Sequence, residues 1–153
     1  METHEIESIR AFIQERDSLI SLFNMEILDF SAGSTSVRMI VRKEHTNAAS
    51  VCHGGALFSL ADVAFALASN SHGTLALALD VSISFLRAVP VGETITARCT
   101  EKYRGRSTGT YIIEIEDSSG KLVALLKATA FRTQNPLITS ETQDAPKQRA
   151  DGS

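Results

Sequence analysis

The spacing of hydrophobic residues changes character along the first half of the chain. An early segment carries isoleucines at helical spacing with charges between them, which predicts an amphipathic surface helix over about residues 4–23. Residues 25–31 and 35–42 alternate apolar and polar side chains and predict two strands. Residues 54–70 are apolar on nearly every helical face. A helix with that pattern is expected to be buried on all sides.

From residue 75 onward the hydrophobic period becomes two. Every second residue from Leu75 to Phe85 is bulky and apolar, which predicts a long strand with two distinct faces. Further strands are predicted at 93–104, 107–116 and 121–133. The order of elements is helix, two strands, buried helix and four consecutive antiparallel strands. This order predicts an α+β fold in which a curved antiparallel sheet wraps around one long central helix.

The chain is long enough for one domain with its own core, which we place at residues 1–133. Apolar density falls after that point, and residues 134–153 are predicted to form a polar, disordered tail. A curved sheet with a long edge strand tends to pair with a second copy, so we expect a homo-oligomer, either a dimer or a dimer of dimers.

Composition excludes several classes of function. The net charge of -3 lacks the basic excess of a nucleic-acid-binding protein. The longest apolar stretch is too short to cross a bilayer and contains Asp62, so no membrane association is expected. Cys52 and Cys99 are the only cysteines, and with no signal-peptide pattern they indicate the reducing cytoplasm. The histidines and cysteines show no metal-ligand spacing, so we expect no metal.

One stretch resembles a known family. The run NAASVCHGGALFSLAD, from Asn47 to Asp62, resembles the signature of hot-dog-fold acyl-CoA thioesterases, in particular the PaaI-like branch of phenylacetate degradation. Residues 85–99 and 104–132 resemble the same branch, so the similarity spans about residues 24–133. It implies a hot-dog fold and hydrolysis of aryl-acetyl or short- to medium-chain acyl-CoA thioesters. It implies no separate cofactor, because coenzyme A is part of the substrate.

The same residues suit thioester hydrolysis chemically. Gly54 and Gly55 begin the buried helix, where backbone N–H groups lack intrahelical partners and the helix dipole is positive. Such an amide can stabilise an oxyanion, and the resemblance assigns this role to Gly54. Asp62 lies two turns further on and can act as general base for water or as nucleophile, with a pKa raised by its apolar surroundings. Asn47 can orient the water or the thioester.

Each assignment has a structural alternative. Asp62 could be a satisfied structural acid, the glycine pair could serve tight packing, and Asn47 could cap the loop. His53 could hold the loop by hydrogen bonding to backbone or take part in acid–base chemistry. Where the family often has glycine three residues after the loop asparagine, this chain has Ser50.

The remaining candidate substrate-binding residues follow from the resemblance and from residue type. Phe58 is expected to line an apolar acyl pocket, and Asn70 closes the family signature. Arginines are expected to meet the phosphates of coenzyme A or to form a solvated face; these are Arg87, Arg104 and Arg106.

Related enzymes place a hydroxyl near the acid, but residues 63–66, the turn after Asp62, contain none. Ser82 or Ser84 of a partner strand could supply it; alternatively their face of the strand meets solvent.

Two other functions remain open from the sequence. One is a non-catalytic hot-dog module that binds acyl-CoA. The other is a hydratase or dehydratase on the same fold, for which His53 is the only candidate catalytic histidine.

Overall fold

One long helix and a six-stranded sheet form most of the structure, a computed structural model that describes residues 1–144. The elements, in chain order, are α1 (Thr3–Arg16), α2 (Ser18–Leu22), β1 (Glu26–Ser31), β2 (Ser34–Ile40), a 3₁₀ turn (Lys43–His45), α3 (Gly54–Asn70), β3 (Thr74–Phe85), β4 (Thr94–Arg104), β5 (Thr108–Glu116), β6 (Leu122–Pro136) and α4 (Ser140–Asp144).

All neighbouring strands of the sheet are antiparallel, in the order β1-β2-β4-β5-β6-β3. The helix α3 packs across one face of this sheet. The predicted α+β fold, with a curved antiparallel sheet around one central helix, is therefore confirmed. The strand β3 lies at an edge, so one side of its backbone has no strand partner among residues 1–144.

The helix α3 owes its position to its composition. Eleven of its residues are buried, including Leu60 and Ala64, which are both fully inaccessible to solvent. The sheet covers one side of the helix, and isoleucines of the N-terminal helices reach the core beside it. These are Ile9, Ile13 and Ile20. Gly73, with a φ of 80°, follows the C-terminal end and allows the chain to turn into β3.

The single N-terminal helix predicted over residues 4–23 is instead two helices. Asp17 interrupts them with an extended backbone, φ -78° and ψ 105°. Its side chain accepts a hydrogen bond from the Leu19 N–H at 3.0 Å, which caps α2. The isoleucine spacing continued through this break and therefore concealed it.

The predicted unbroken alternation along β3 is also wrong. A bulge between Ala78 and Asp80 places an extra residue opposite β6. Because a one-residue insertion reverses the faces of the strand, Leu77 is 54% exposed, whereas Val81 and Ile83 pack against the core. The apolar residues before and after the bulge therefore lie on opposite faces.

The chain continues in regular structure beyond residue 133, where the sequence suggested that the domain ends. The strand β6 extends to Pro136, and the Leu137 N–H then donates to the Gly73 carbonyl at 2.8 Å. The side chain of Arg16 donates to the Thr142 carbonyl at 2.6 Å, which connects α1 to α4. The rest of the predicted tail, residues 145–153, lies outside the described residues.

No helix within residues 1–144 combines the length and the apolar character needed to span a bilayer.

Candidate active site

A cleft of about 380 Å³ lies at the N-terminal end of α3. The cleft lies between the loop that precedes α3 and the segment that follows β3. Its lining residues are Asn47, Cys52, Gly54, Leu57, Phe85, Leu86, Arg87 and Ala88. Three of the predicted site residues, Asn47, Gly54 and Arg87, therefore share one cavity.

The two glycine amides at the start of α3 are in different states. The Gly55 N–H donates to Nδ1 of His53 at 3.0 Å. The Gly54 N–H has no hydrogen-bond acceptor within residues 1–144. Since the dipole of α3 is positive at this end, the Gly54 amide is a free donor in a positive potential. Of the two glycines, Gly54 is the one able to bind an oxyanion.

His53 is the N-cap of α3. Because its Nδ1 accepts the Gly55 N–H, the neutral ring carries its proton on Nε2. Its own backbone N–H donates to the His45 carbonyl at 2.7 Å. Of the two roles that the sequence left open for His53, this is the loop-holding arrangement.

His45 supports the same loop and was missed by the sequence reasoning. It is 3% exposed, and its Nδ1 accepts the Arg42 N–H at 3.0 Å. Its ring meets that of Phe23 edge-on at 5.1 Å between centroids. Burial, and then the charge of Arg42, lower its pKa, which favours the neutral ring that accepts this bond. A polar loop in the sequence gave no signal that its histidine would be buried.

Asn47 combines a loop-capping oxygen with a free amide group. Its Oδ1 accepts N–H groups from Ala49 at 2.9 Å and Val51 at 3.4 Å. Its Nδ2 has no acceptor within the described chain, and the residue lines the cleft with Gly54. Both roles considered for Asn47, loop cap and substrate donor, are therefore compatible.

Ser50 adopts a left-handed backbone conformation, with φ 60°. This conformation is easy for glycine and uncommon for other residues. A glycine would adopt this conformation without strain, and here the strain is carried by a serine.

Asp62 is half-buried on α3, and its side chain has no hydrogen-bond partner among residues 1–144. Burial raises its pKa, and the negative charge of Asp17 raises it further. The direction agrees with the sequence prediction.

Asp62 does not line the cleft that contains Gly54. The two residues are eight positions apart on one helix, a separation of about 12 Å along the axis. Within one chain, Asp62 therefore lies more than two helical turns from the Gly54 amide.

A half-buried stripe on α3 leads from the cleft to Asp62. It contains Phe58 and Ser59, one helical turn before the acid. Phe58 packs against the core and is absent from the cleft lining. The Ser59 hydroxyl, which no sequence pattern indicated as a site residue, donates to the Gly55 carbonyl at 2.8 Å.

Asn70 lies at the opposite end of α3 from Gly54 and is fully engaged. Its Nδ2 donates to the carbonyls of Ala66 at 3.0 Å and Ala76 at 3.1 Å. Its Oδ1 accepts the Ala76 N–H at 2.9 Å. The structure therefore gives Asn70 a structural role in joining α3 to β3, and the substrate-binding role predicted for it is not supported.

Ser82 and Ser84 do not reach the cleft either. They are exposed and pair with Lys127 and Leu125 on the face of the sheet that points away from α3. A second copy that continued the sheet edge to edge would keep this face on the outside.

The three arginines do not form one patch. Arg87 lines the cleft. Arg104 lies at the other end of the sheet, where it donates to Nδ1 of His72 at 2.7 Å. Arg106 is exposed in the turn between β4 and β5, near Arg104 in sequence. Within residues 1–144, no group of three or more His, Cys, Asp or Glu side chains is arranged to hold a metal.

The profile of the thioesterase superfamily matches residues 49–124, a stretch that contains α3 and the strands β3 to β5. A putative esterase of Archaeoglobus fulgidus is 48% identical over 127 residues, covering 83% of this chain and 82% of that protein. Acyl-coenzyme A thioesterase PaaI of Escherichia coli K12 is 40% identical over 118 residues, covering 77% of this chain and 84% of that protein.

The chain belongs to the hot-dog thioesterase superfamily.

Solved structures agree with the assignment of this chain to the thioesterase superfamily. The structure of the E. coli PaaI protein, from the phenylacetic acid degradation operon, matches with a TM-score of 0.85 and 36% identity, covering 88% of this chain and 97% of that one. A hypothetical thioesterase protein of Streptococcus pneumoniae, solved with coenzyme A, matches with a TM-score of 0.75 and 27% identity, covering 84% of this chain and 98% of that one.

Proposed function

We propose that this thioesterase hydrolyses acyl-CoA thioesters to a free acid and coenzyme A. The observation that carries the proposal is the unpartnered Gly54 N–H at the positive end of α3, in a cleft shared with the amide group of Asn47. Names of similar proteins support the substrate, since PaaI is an acyl-coenzyme A thioesterase and the pneumococcal relative was solved with coenzyme A.

The Gly54 and Asn47 donors would bind the thioester carbonyl. As water or a carboxylate attacks, negative charge develops on that oxygen, and donors already in place lower the barrier. Asp62 would act as the general base for water or as the nucleophile. Its unpartnered carboxylate and raised pKa suit a base better than a structural acid.

Each active site would combine two chains, since about 12 Å separates Gly54 from Asp62 along one helix. We propose a homo-oligomer in which two β3 edges pair antiparallel about a two-fold axis, as a dimer or a dimer of dimers. The free edge of β3 supports this, as do Leu77 and Leu79, which are 54% and 63% exposed. The Gly54 amide of one copy would then work with the Asp62 carboxylate of the other.

The cleft indicates where the two parts of the substrate lie. Leu57, Cys52 and Phe85 offer an apolar wall for an aryl-acetyl or a short- to medium-chain acyl group. Arg87 is the cationic residue of the lining and would contact coenzyme A phosphate. A two-fold axis at β3 would bring the end of the partner sheet that carries Arg104 towards this cleft.

We place the enzyme in the cytoplasm, since both cysteines are free and buried.

The similarity to PaaI makes phenylacetyl-CoA the first substrate to test. The hydratase alternative gains no support, because His53 uses Nδ1 to cap α3.

Release of free thiol from a panel of acyl-CoA esters separates hydrolysis from both alternatives, because neither passive binding nor hydration liberates coenzyme A. We expect turnover of at least one ester. Binding of acyl-CoA with no thiol release across the panel would contradict the proposal.

A further inference from the structure

The tip of an aromatic ring lies against the glycine that carries the candidate oxyanion donor. A Cβ placed on Gly54 would lie 3.0 Å from Cζ of Phe85, 3.2 Å from its Cε1 and 3.5 Å from its Cε2. These are the three nearest atoms to that position. The ring of Phe85 therefore points edge-first at Gly54, and the absence of a side chain there is what permits the contact.

This contact places Phe85 beside the reacting carbonyl. Two bonds of about 1.5 Å separate the Gly54 nitrogen from the Cβ position, so Phe85 Cζ lies no more than about 6 Å from that nitrogen. A carbonyl oxygen bound to the same N–H would lie about 2.9 Å from the nitrogen. Because Gly54 and Phe85 line the same cleft, atoms attached to that carbonyl carbon would lie within reach of the ring.

The backbone that carries Phe85 is fixed, whereas one side of its ring is open. Phe85 pairs with the buried Ala124 on β6. The N–H groups of Leu86 and Arg87 both donate to the Val123 carbonyl, at 2.9 and 3.2 Å. The Phe85 side chain remains 53% exposed and lines the cleft. The backbone of Phe85 is thus held in the sheet, and part of its ring surface is accessible from the cleft.

We propose that Phe85 determines which acyl groups fit beside the Gly54 amide, and that it excludes groups branched at the carbon next to the carbonyl. The proposal rests on the acyl-CoA thioesterase function proposed above. A methylene carbon at that position, as in phenylacetyl or n-butyryl groups, passes the ring edge. A second substituent at the same carbon collides with it. Phe85 is a specificity-determining residue that takes no part in the bond-breaking step.

The test compares two isomers, n-butyryl-CoA and isobutyryl-CoA, which differ only in this branch. The ratio of their kcat/KM values is measured for the wild type, Phe85→Ala, Phe85→Leu and Phe85→Tyr. We expect the wild type to prefer the straight chain by about ten-fold or more, since one misplaced methyl group commonly has an effect of that size. Phe85→Ala should remove most of this preference, Phe85→Leu part of it, and Phe85→Tyr should retain it.

Phe131→Ala is the matched control, because Phe131 is 45% exposed on β6 but lies on the face opposite α3. It should leave the ratio unchanged. Light scattering and melting temperature identify variants that fail to fold or assemble. If Phe85→Ala is one of them, Phe85→Leu replaces it as the deciding variant.

A wild type that shows no preference, or a preference that persists in folded Phe85→Ala and Phe85→Leu, would overturn the inference while thiol release still supports the hydrolase. Absence of thiol release from every ester by the wild type would instead overturn the proposed function, and this inference with it.

Discussion

The N-terminal and C-terminal ends of α3 both carry polar groups in an apolar setting, but they differ in hydrogen bonding. At the N-terminal end, the Gly54 N–H and the Asn47 Nδ2 have no acceptor within residues 1–144. At the C-terminal end, Asn70 makes hydrogen bonds through both its oxygen and its nitrogen. Ser71 donates to the Ala68 carbonyl and accepts the N–H of Gly33.

A network at the C-terminal end extends this contrast. The buried Tyr111 hydroxyl donates to Glu101 at 2.6 Å, and His72 Nε2 contacts the same carboxylate oxygen at 2.8 Å. Arg104 donates to His72 Nδ1, so the proton of the neutral ring lies on Nε2, facing Glu101. Burial and the hydrogen bond to Glu101 raise the pKa of Tyr111, which keeps its proton in place. Satisfied polar groups of this kind stabilise a fold, whereas free donors remain for a ligand.

The largest effect is expected at Asp62. Asp62→Asn keeps the size of the side chain and removes its charge, so kcat should fall by about two to four orders of magnitude. Because the fold raises the pKa of Asp62, the wild type loses stability as pH rises through that pKa, and the Asn variant does not. The variant should therefore melt at an equal or higher temperature at neutral pH. Retention of more than about a tenth of wild-type kcat would show that Asp62 is not the base or nucleophile.

Asn70→Ala should have the opposite effect: it should lower stability and leave kcat nearly unchanged. It removes the hydrogen bonds that join α3 to Ala76 and leaves buried backbone groups unpaired. We expect the free energy of unfolding to fall by about 2–3 kcal/mol, measured by urea denaturation. The kcat of the folded enzyme should stay within about two-fold of wild type, since hydrogen bonds at this end do not touch the cleft. Ser84→Ala, an exposed change on the outer face, is the control and should alter neither quantity. A ten-fold loss of kcat in folded Asn70→Ala would restore a role in binding or catalysis.

Gly54→Ala should reveal the contact with Phe85 as a stability effect. The new methyl group would lie 3.0 Å from the ring tip, tighter than nine in ten Cβ contacts in proteins, so the ring would have to move. We therefore expect a loss of about 1–2 kcal/mol. Phe85→Ala in the same chain should relieve this loss, giving a non-additive double-mutant cycle. Combining Gly54→Ala with Phe131→Ala should give additive changes. Additivity in both cycles would mean that the ring does not constrain residue 54.

The smallest effect is expected at Asp17. Its charge is the second cause, after burial, of the raised pKa of Asp62. Asp17→Asn keeps an oxygen to cap α2 and removes the charge, so the acidic limb of the kcat profile should shift to lower pH. Glu7→Gln, an exposed change on α1, should leave the limb in place. A shift to higher pH, or equal shifts in both variants, would contradict the electrostatic link.

The sequence predicted the parts of the molecule that depend on local periodicity. The span of α3 was correct because its apolar run and flanking glycines agree. The break at Asp17 and the bulge in β3 were missed, since both leave the hydrophobic spacing almost unchanged. At the site, the free Gly54 amide follows from its place at a helix start. The position of Phe85 does not, because it depends on how the end of β3 meets α3.

The same limit applies to residues assigned by type alone. Nothing in the sequence distinguishes Arg87 at the cleft from Arg104 at the far end of the sheet. Asn70 belongs to the family signature, but its partners are backbone groups that only the folded chain brings together. Sequence patterns therefore located the chemistry on α3, and tertiary packing decided which polar groups were left free.

The central claim is that each active site takes its carbonyl-binding amides from one chain and its carboxylate from another. Asn47→Ala should lose a donor to the oxyanion and Asp62→Asn should lose the base, so we expect each to be nearly inactive alone. The two variants are mixed as unfolded chains and refolded together. In a two-fold dimer with shared sites, half of the chains form mixed dimers with one intact site of two, so about a quarter of wild-type activity should return. A mixture that stays at the level of the two separate variants, although light scattering shows mixed oligomers, would place both groups in one chain and contradict the account.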